Sequence, residues 1–265
     1  MTVKILTTLS QEYWDKTGQY TVKFWNDFIP SKWEFWLHDT PELGIKCSRS
    51  LQTKDKNKWI EQAATIANSI PEDKQPFGYY REWKKFCHKS FAQWEAYEED
   101  PTGILIWVDS DVLIKKPFDK SVIERALNGK FCGYFGRDRV DPATNKKVRN
   151  YGRFNVETGV IVYNLDHPMA KTFFEHQKNI YLSNDVFKIY DWADTGVFEE
   201  AMLRTGKEHF HDITGHLPPT TEPIPISFLD EYIDHWMGVA NKEARADLSG
   251  PELKRKMIKK GILKA

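Results

Sequence analysis

The most constraining feature of the sequence is a short apolar run that ends at two aspartates. Five consecutive apolar residues, Ile104 to Val108, follow Gly103 and lead directly into Asp109 and Asp111. A run of this length and composition is typical of a strand that is buried on both faces. Residues two apart in a strand point the same way, so both carboxylates are expected beyond the end of the strand. Open α/β sheets bind their ligands at that edge.

Two carboxylates this close repel each other unless a positive charge lies between them. A hard divalent cation suits the pair, because Mg²⁺ and Mn²⁺ accept a few carboxylates together with phosphate oxygens. The sequence therefore predicts a site for Mn²⁺ or Mg²⁺ at Asp109 and Asp111. The alternative is a strand that ends in a solvated acidic turn, since Asp-x-Asp is also common in turns.

The composition limits the class of protein. The chain has 265 residues, with 38 basic and 38 acidic side chains, so its net charge does not indicate a polyanionic partner. Its three cysteines have no metal-ligand spacing and are expected to be reduced thiols of a cytoplasmic protein. No apolar run is long enough for a membrane-spanning helix, so no span is expected. We predict one domain over residues 1–248 and a basic C-terminal helix or tail over 249–265.

Two segments before the acidic pair carry candidate ligand contacts. Val3 to Leu9 is predicted to be a strand whose end, at Thr7 and Thr8, either contacts a nucleotide or begins a helix. Tyr79 to Glu99 is a long amphipathic segment with Arg81, Lys85 and Lys89 at four-residue intervals. These cations are expected to form a ridge that meets a metal-bound diphosphate, or else an ordinary solvated face.

Two carboxylates after the acidic pair are further candidates. Glu157 lies in a stretch that we interpret as a polar turn before a second apolar strand. Asp194 precedes a predicted helix from Val197 to Leu203 and is either a functional carboxylate or the N-cap of that helix. The segment 137–153, which lies between the acidic pair and Glu157, carries six basic and two acidic residues. It is predicted to be an exposed loop that either binds an anionic acceptor or is simply solvated.

Taken together, these motifs resemble the GT-A glycosyltransferases, most closely the retaining, glycogenin-like branch and related uncharacterised bacterial and phage enzymes. The resemblance spans roughly residues 79–242. It rests on the Asp109-Ser110-Asp111 strand end, on Glu157-Thr158-Gly159, and on a late His235-x-x-Gly238 with Lys242. Two longer patterns of the family are also present, as Phe86-Cys87-His88-Lys89-Ser90-Phe91-Ala92 and Trp192-Ala193-Asp194-Thr195-Gly196-Val197-Phe198.

The resemblance implies an α/β fold of the GT-A (Rossmann-like) type, with a mixed central sheet flanked by helices. It implies that Asp111 and His235 are metal ligands and that Asp109 contacts the metal or the ribose. Gly238 and Lys242 would approach the diphosphate, although Asn241 stands where the family pattern has its lysine. Lys89 and Arg245 are then substitutes for that lysine.

The implied activity is metal-dependent transfer of a hexose or pentose from a nucleotide sugar, a UDP-sugar by resemblance, with retention. Lys, Arg and a divalent ion would stabilise the diphosphate leaving group, and Glu157 or Asp194 would act near the sugar carbon. The acceptor is expected to be a glycan or, given the basic 137–153 segment and tail, hydroxymethylated phage DNA. The alternatives are a haloacid-dehalogenase-type phosphatase and a non-catalytic module that binds sugar or nucleic acid.

Overall fold

The structure is a computed structural model of the chain. It describes residues 2–18, 21–22, 25, 29–38, 45–53, 56–76, 78–114, 116, 119–137, 139–140, 147–148, 156–214 and 227–235. The predicted C-terminal tail, 249–265, and most of the basic 137–153 segment lie outside these residues. In the part that the structure describes, no helix is long and apolar enough to cross a membrane.

The described elements comprise both strands and helices. The strands are β1 (Val3–Thr8), β2 (Glu34–His38), β3 (Arg49–Leu51), β4 (Ile104–Val108), β5 (Val112–Ile114), β6 (Cys132–Gly136), β7 (Arg139–Val140), β8 (Lys147–Val148), β9 (Val156–Asn164), β10 (Phe210–Asp212) and β11 (Ile233–His235). The α-helices are α1 (Gln11–Tyr13), α2 (Lys56–Ser69), α3 (Trp83–Glu99), α4 (Lys120–Leu127), α5 (Ala170–Leu182) and α6 (Asp194–Thr205). A π-helical turn, Trp14–Gly18, follows α1, and short 3₁₀ turns cover Glu72–Lys74, Gly78–Arg81, Asp185–Lys188, Lys207–His209 and Phe228–Glu231.

Seven strands form one mixed sheet in the order β10-β6-β9-β4-β1-β2-β3. Strand β9 runs antiparallel to both of its neighbours, β4 and β6, while the other pairs are parallel. Two smaller antiparallel pairs, β5 with β11 and β7 with β8, lie outside this sheet. The α/β class with a mixed central sheet flanked by helices, predicted from the sequence, is confirmed.

Alternation along the central strands divides the core into two layers. In β1, Leu6 packs into one apolar cluster, whereas Val3 and Ile5 pack into the other. The first cluster lies against α2, α3, α5 and α6, and the second includes buried side chains of α4. Both faces of the sheet are therefore covered, which explains why β4 is apolar at every position.

Several predicted elements are confirmed within a few residues, and one is wrong. Strand β1, strand β4 and helix α3 match the sequence patterns that predict them. The segment Glu157–Gly159, whose composition predicts a turn, is instead part of β9. Pairing with β6 extends the start of that strand to Val156, ahead of its apolar run.

A fully buried lysine ties β1 to the connection between α3 and β4. The Lys4 ammonium donates to the main-chain oxygens of Asp100 and Thr102, each at 2.7 Å, and pairs with the Asp100 carboxylate at 2.7 Å. Burial raises the pKa of Asp100, but hydrogen bonds from Lys4 and Thr102 outweigh it and hold that pKa below its usual value. The three donors of the ammonium are thus matched by three oxygens.

Replacing Lys4 with methionine is expected to lower the free energy of unfolding by about 2–3 kcal/mol, because it leaves two carbonyls without their donor. Denaturant unfolding monitored by tryptophan fluorescence measures this loss. Lys120→Met is the control, since Lys120 is exposed and pairs with Glu124 one helical turn away. Equal stability of the two variants would contradict the structural role of Lys4.

Candidate functional site

The candidate site lies at the edge of the sheet where the parallel strands end. Strands β1, β2, β4, β6 and β10 are parallel to one another in the sheet, so their carboxyl ends meet at this edge. Strand β9 runs the other way and therefore begins there, with Glu157 and Thr158. The antiparallel register fixes the junction, because Asp109 donates its main-chain N–H to the Gly159 oxygen at 2.8 Å.

Lys89 is the centre of the site. It projects from α3, is only 8% exposed, and joins two carboxylates that are far apart in the chain. Its ammonium lies 2.9 Å from Asp109 Oδ1 and 2.6 Å from Asp194 Oδ2. It also lies 3.1 Å from both the main-chain oxygen and the hydroxyl oxygen of Thr158.

The electrostatics of this cluster keep Lys89 charged. Burial by itself would lower the pKa of Lys89, but the carboxylates of Asp109 and Asp194 outweigh burial and raise that pKa above its ordinary value. The Trp107 ring adds a cation–π contact, with the ammonium 5.6 Å from the ring centroid. Lys89 is therefore a permanent cation between two carboxylates.

This position differs from the basic ridge that the sequence predicts. Arg81 lies in the 3₁₀ turn before α3 and is exposed, with the Glu72 carboxylate 3.8 Å away. Lys85 is exposed on α3, whereas Lys89 is buried. The ridge prediction is wrong because Arg81 precedes the helix, and because the four-residue step from Lys85 to Lys89 overshoots one helical turn by about 40°, towards the core.

The Asp-x-Asp stretch forms a turn, so strand alternation does not position its two carboxylates. β4 ends at Val108, and the Val112 N–H donates to the Asp109 oxygen at 3.0 Å, which closes the turn. The Asp109 carboxylate points back along the strand and accepts a hydrogen bond from Trp107 Nε1 at 2.7 Å. Asp111 is 7% exposed and directly precedes β5.

Asp194 opens α6 and is 2% exposed. Its Oδ2 accepts a hydrogen bond from the Thr158 hydroxyl at 2.6 Å as well as the Lys89 ion pair. Its Oδ1 is buried and has no hydrogen-bond partner among the described residues. The N-cap alternative for Asp194 is wrong: Ala193 is the N-cap residue, and the Asp191 carboxylate binds the Ala193 N–H and the Thr195 hydroxyl.

Glu157 is engaged differently. Its Oε1 accepts a hydrogen bond from the Gly159 N–H at 3.0 Å, and its Oε2 pairs with the Arg137 guanidinium at 2.9 Å. Arg137 follows the last residue of β6, so the ion pair joins the ends of two neighbouring strands. Both oxygens of Glu157 therefore hold other parts of the protein in place.

The two threonines at the end of β1 have different environments. Thr7 is fully buried, and its hydroxyl has no hydrogen-bond partner in the part of the chain that the structure describes. Thr8 is partly exposed and donates its hydroxyl to the His38 main-chain oxygen at 3.0 Å. Of the predicted pair, Thr8 is thus the residue that reaches the edge of the sheet.

The late motif is only partly described. Strand β11 pairs with β5 and places the main chain of His235 opposite Val112, next to Asp111 in the sequence. The side chain of His235 lies outside the described part, as do Gly238, Lys242 and Arg245. Among the side chains that are described, no group of three His, Cys, Asp or Glu residues could hold a metal ion.

Sequence patterns did not identify the roles of Trp107, Thr158 and Arg137. Trp107 and Thr158 supply hydrogen bonds that orient the Asp109 and Asp194 carboxylates. In the sequence, Arg137 is only one cation of the basic 137–153 segment. The signal for Lys89 was its position between the apolar residues Phe86 and Phe91, which is unusual for a solvated lysine.

Comparisons with known proteins show a structural similarity. No protein-family model matches the sequence, and no curated protein matches it. The fold is similar to the crystal structure of a glycosyltransferase involved in the glycosylation of the major capsid of PBCV-1, with a TM-score of 0.42 and 16% identity over 92% of this chain and 100% of that one. At this level of identity the two chains share few residues, so function has to be argued from the side chains of this protein.

Proposed function

We propose that this protein is a metal-dependent glycosyltransferase that moves a sugar from a nucleoside-diphosphate sugar to an acceptor hydroxyl. The observation that carries the proposal is the buried Lys89, which joins Asp109 of the Asp-x-Asp turn to Asp194 at the start of α6. These three side chains meet at the carboxyl edge of the sheet, where α/β proteins bind ligands. The cluster has one positive and two negative charges, and Asp111 adds a further carboxylate to the same turn.

The ion that we propose for this site is a divalent cation such as Mn²⁺ or Mg²⁺, and the carboxylate of Asp111 is the described group suited to it. Asp111 and His235 would hold the ion, because the pairing of β11 with β5 brings the His235 main chain next to the Asp-x-Asp turn. Carboxylate ligands suit Mn²⁺ and Mg²⁺. When bound, the ion supplies positive charge that stabilises the diphosphate leaving group. Asp109 acts as a positioning residue, since Lys89 and Trp107 engage its carboxylate.

Asp194 is the carboxylate that we assign to the sugar carbon. Its Oδ1 has no hydrogen-bond partner among the described residues, while its Oδ2 is held by Lys89 and Thr158. A fixed carboxylate with one uncommitted oxygen can stabilise the positive charge that develops on the sugar in an oxocarbenium-like transition state. Glu157 is instead a positioning residue, which fixes Arg137 at the same edge.

The donor nucleotide is proposed to bind where β1 and β4 end, with Thr8, Gly238 and Lys242 among its contacts and Arg81 at the outer rim. UDP is the first donor nucleotide to test. Transfer with retention is proposed on the family resemblance described above. The acceptor is a glycan or a hydroxymethylated base of DNA.

The proposal is tested by calorimetric titration of the full chain with UDP and other nucleoside diphosphates, with and without Mn²⁺. We expect Mn²⁺-dependent binding that Asp111→Asn weakens at least about tenfold, because the variant loses a negatively charged ligand at nearly constant volume. Asp119→Asn is the control, since Asp119 caps α4 through its bond to the Val122 N–H.

Binding of the nucleotide that does not depend on Mn²⁺, or that is equal in wild type and Asp111→Asn, would contradict the metal site. No binding of any nucleotide would contradict the glycosyltransferase proposal as a whole. Release of phosphate from phosphate esters in that case would favour the phosphatase alternative.

A further inference from the structure

Two tyrosines lie next to each other, Tyr80 in the turn before α3 and Tyr190 shortly before α6. Tyr190 is 56% exposed, the largest exposed fraction among the bulky apolar and aromatic side chains that the structure describes. The Tyr80 ring lies beside it, with the centroids 6.4 Å apart and the planes tilted by 39°. We call Tyr80 and Tyr190 the aromatic rim.

The aromatic rim is held on a rigid support. The Trp192 N–H donates to the Tyr80 main-chain oxygen at 2.8 Å, so the two segments that carry the tyrosines are joined. Trp192 is buried against Phe187, and Phe187 packs in turn on Trp83 at the start of α3, with centroid distances of 5.1 and 5.4 Å. A binding surface fixed in this way loses little conformational entropy when a ligand binds.

Both tyrosines lie close in the sequence to side chains of the candidate site. Tyr80 lies just before α3, and Lys89 is fewer than two helical turns beyond Trp83, the first residue of that helix. Tyr190 is close to Asp194 in the sequence, so even an extended chain keeps the two residues within the reach of a short oligosaccharide. A saccharide whose ring rests on the rim would therefore extend towards the edge of the sheet at which α6 begins with Asp194.

The local charge favours a neutral ligand. The two segments that carry these tyrosines, 72–85 and 185–191, contain five basic and five acidic residues in total. Several of them pair with each other, such as Lys188 with Asp185 at 2.8 Å and Lys85 with Glu82 at 3.6 Å. Nucleic acid needs an excess of cations along its backbone, and the sequence of these two segments supplies none.

We infer that the aromatic rim is the acceptor subsite and that it binds a pyranose ring of a neutral saccharide. The apolar C–H face of a pyranose packs on the face of Tyr190, and tyrosine hydroxyl groups can hydrogen-bond to sugar hydroxyls. This inference rests on the proposed glycosyltransferase function and specifies its acceptor class. It assigns to Tyr80 and Tyr190 a role in acceptor binding and none in the binding of the nucleotide.

The subsite is tested by saccharide binding without donor and without turnover. Saturation-transfer NMR titrations of the full chain with methyl glucopyranoside, methyl galactopyranoside, maltotriose and cellotriose give the dissociation constants. For the saccharide that binds most tightly, Tyr190→Ala is expected to weaken binding by about tenfold, because the stacking surface is removed. Tyr190→Phe keeps that surface and should change the constant by less than about threefold.

Leu203→Ala is the matched control, since Leu203 is an exposed apolar residue at the other end of α6 and should bind saccharide as wild type does. The subsite is overturned if none of the four saccharides binds, if Tyr190→Ala binds as well as wild type, or if Leu203→Ala loses as much affinity. It is also overturned if an oligonucleotide containing hydroxymethylcytosine binds more tightly than every saccharide and Tyr190→Ala weakens that binding.

Calorimetry with UDP and Mn²⁺ on the same samples separates the two proposals. Saccharide binding that depends on Tyr190 in a protein that binds no nucleotide supports the subsite and contradicts the glycosyltransferase function. Nucleotide binding in a protein that binds no saccharide contradicts the subsite alone.

Discussion

Replacing Lys89 with methionine is expected to lower the free energy of unfolding by about 3–5 kcal/mol and to abolish sugar transfer. Methionine fills a similar volume but leaves Asp109 and Asp194 as two carboxylates that face each other without the cation between them. An uncompensated buried charge costs far more than a lost surface ion pair. Denaturant unfolding and transfer assays on the same protein measure both effects.

The loss of stability should also depend on pH, with a sign that identifies its cause. Without Lys89, repulsion between the two carboxylates raises the folded-state pKa of one of them above its unfolded value. The folded state then binds a proton more tightly than the unfolded state, so the variant's stability deficit is largest at neutral pH. The deficit should narrow as the pH is lowered from about 7 to about 5.

Lys84→Met is the control for this experiment, because Lys84 is an exposed lysine of the same helix. Its stability and activity should match wild type within about 0.5 kcal/mol and about twofold. If Lys89→Met were as stable as Lys84→Met, the ion-pair cluster would not hold the site together. A deficit in Lys89→Met that does not change between neutral and mildly acidic pH would mean lost packing and not unpaired charge.

The second large effect is expected from Asp194→Asn, which should reduce the turnover number for transfer by about 10²- to 10³-fold. The amide keeps the shape of the side chain and one oxygen for Thr158, but it cannot stabilise developing positive charge as a carboxylate does. Lys89 retains Asp109 as its partner, so the fold should persist. Steady-state kinetics with a fixed donor and acceptor measures the turnover number, and calorimetry measures the affinity for the donor separately.

Glu157→Gln is the informative comparison for Asp194→Asn, because the sequence marks both Glu157 and Asp194 as candidate carboxylates. A glutamine has one oxygen and cannot accept from both the Gly159 N–H and Arg137, so we expect a stability loss of about 1–2 kcal/mol. Its turnover should fall by less than about tenfold, since a positioning residue acts only through Arg137. Glu200→Gln is the control on α6, where Glu200 pairs with Arg204 one helical turn away. A larger fall in turnover for Glu157→Gln than for Asp194→Asn would exchange the two roles.

Local patterns in the sequence were sufficient to predict individual strands and helices, whereas the mixed central sheet was expected from the family resemblance. The apolar run at Ile104–Val108 predicted β4 residue for residue, because every side chain of a strand that is covered on both faces must be apolar. The amphipathic spacing of apolar residues predicted α3 in the same way. The sequence also predicted that Asp109 lies at the carboxyl edge of the sheet, because this residue directly follows the last residue of the buried strand.

Long-range pairing determined the parts that the sequence did not predict. Glu157 to Gly159 have the composition of a turn, yet pairing of Glu157 with β6 and the hydrogen bond from the Asp109 N–H to the Gly159 oxygen hold them in β9. The contact of Glu157 with Arg137 depends on that register, because it joins residues at the ends of two neighbouring strands. Turn propensity is a local preference of at most about 1 kcal/mol per residue, and sheet pairing overrides it.

The sequence by itself determined which side chains are chemically suited to the site: the Asp109–Asp111 pair, Lys89 and Asp194. Only the tertiary structure decided how they are combined, with Lys89 as the buried link between Asp109 and Asp194 and not a solvated contact for phosphate. The physical reason is that an ion pair between residues far apart in the chain has no periodicity in the sequence. It forms only when α3, β4 and the start of α6 are packed together at one edge of the sheet.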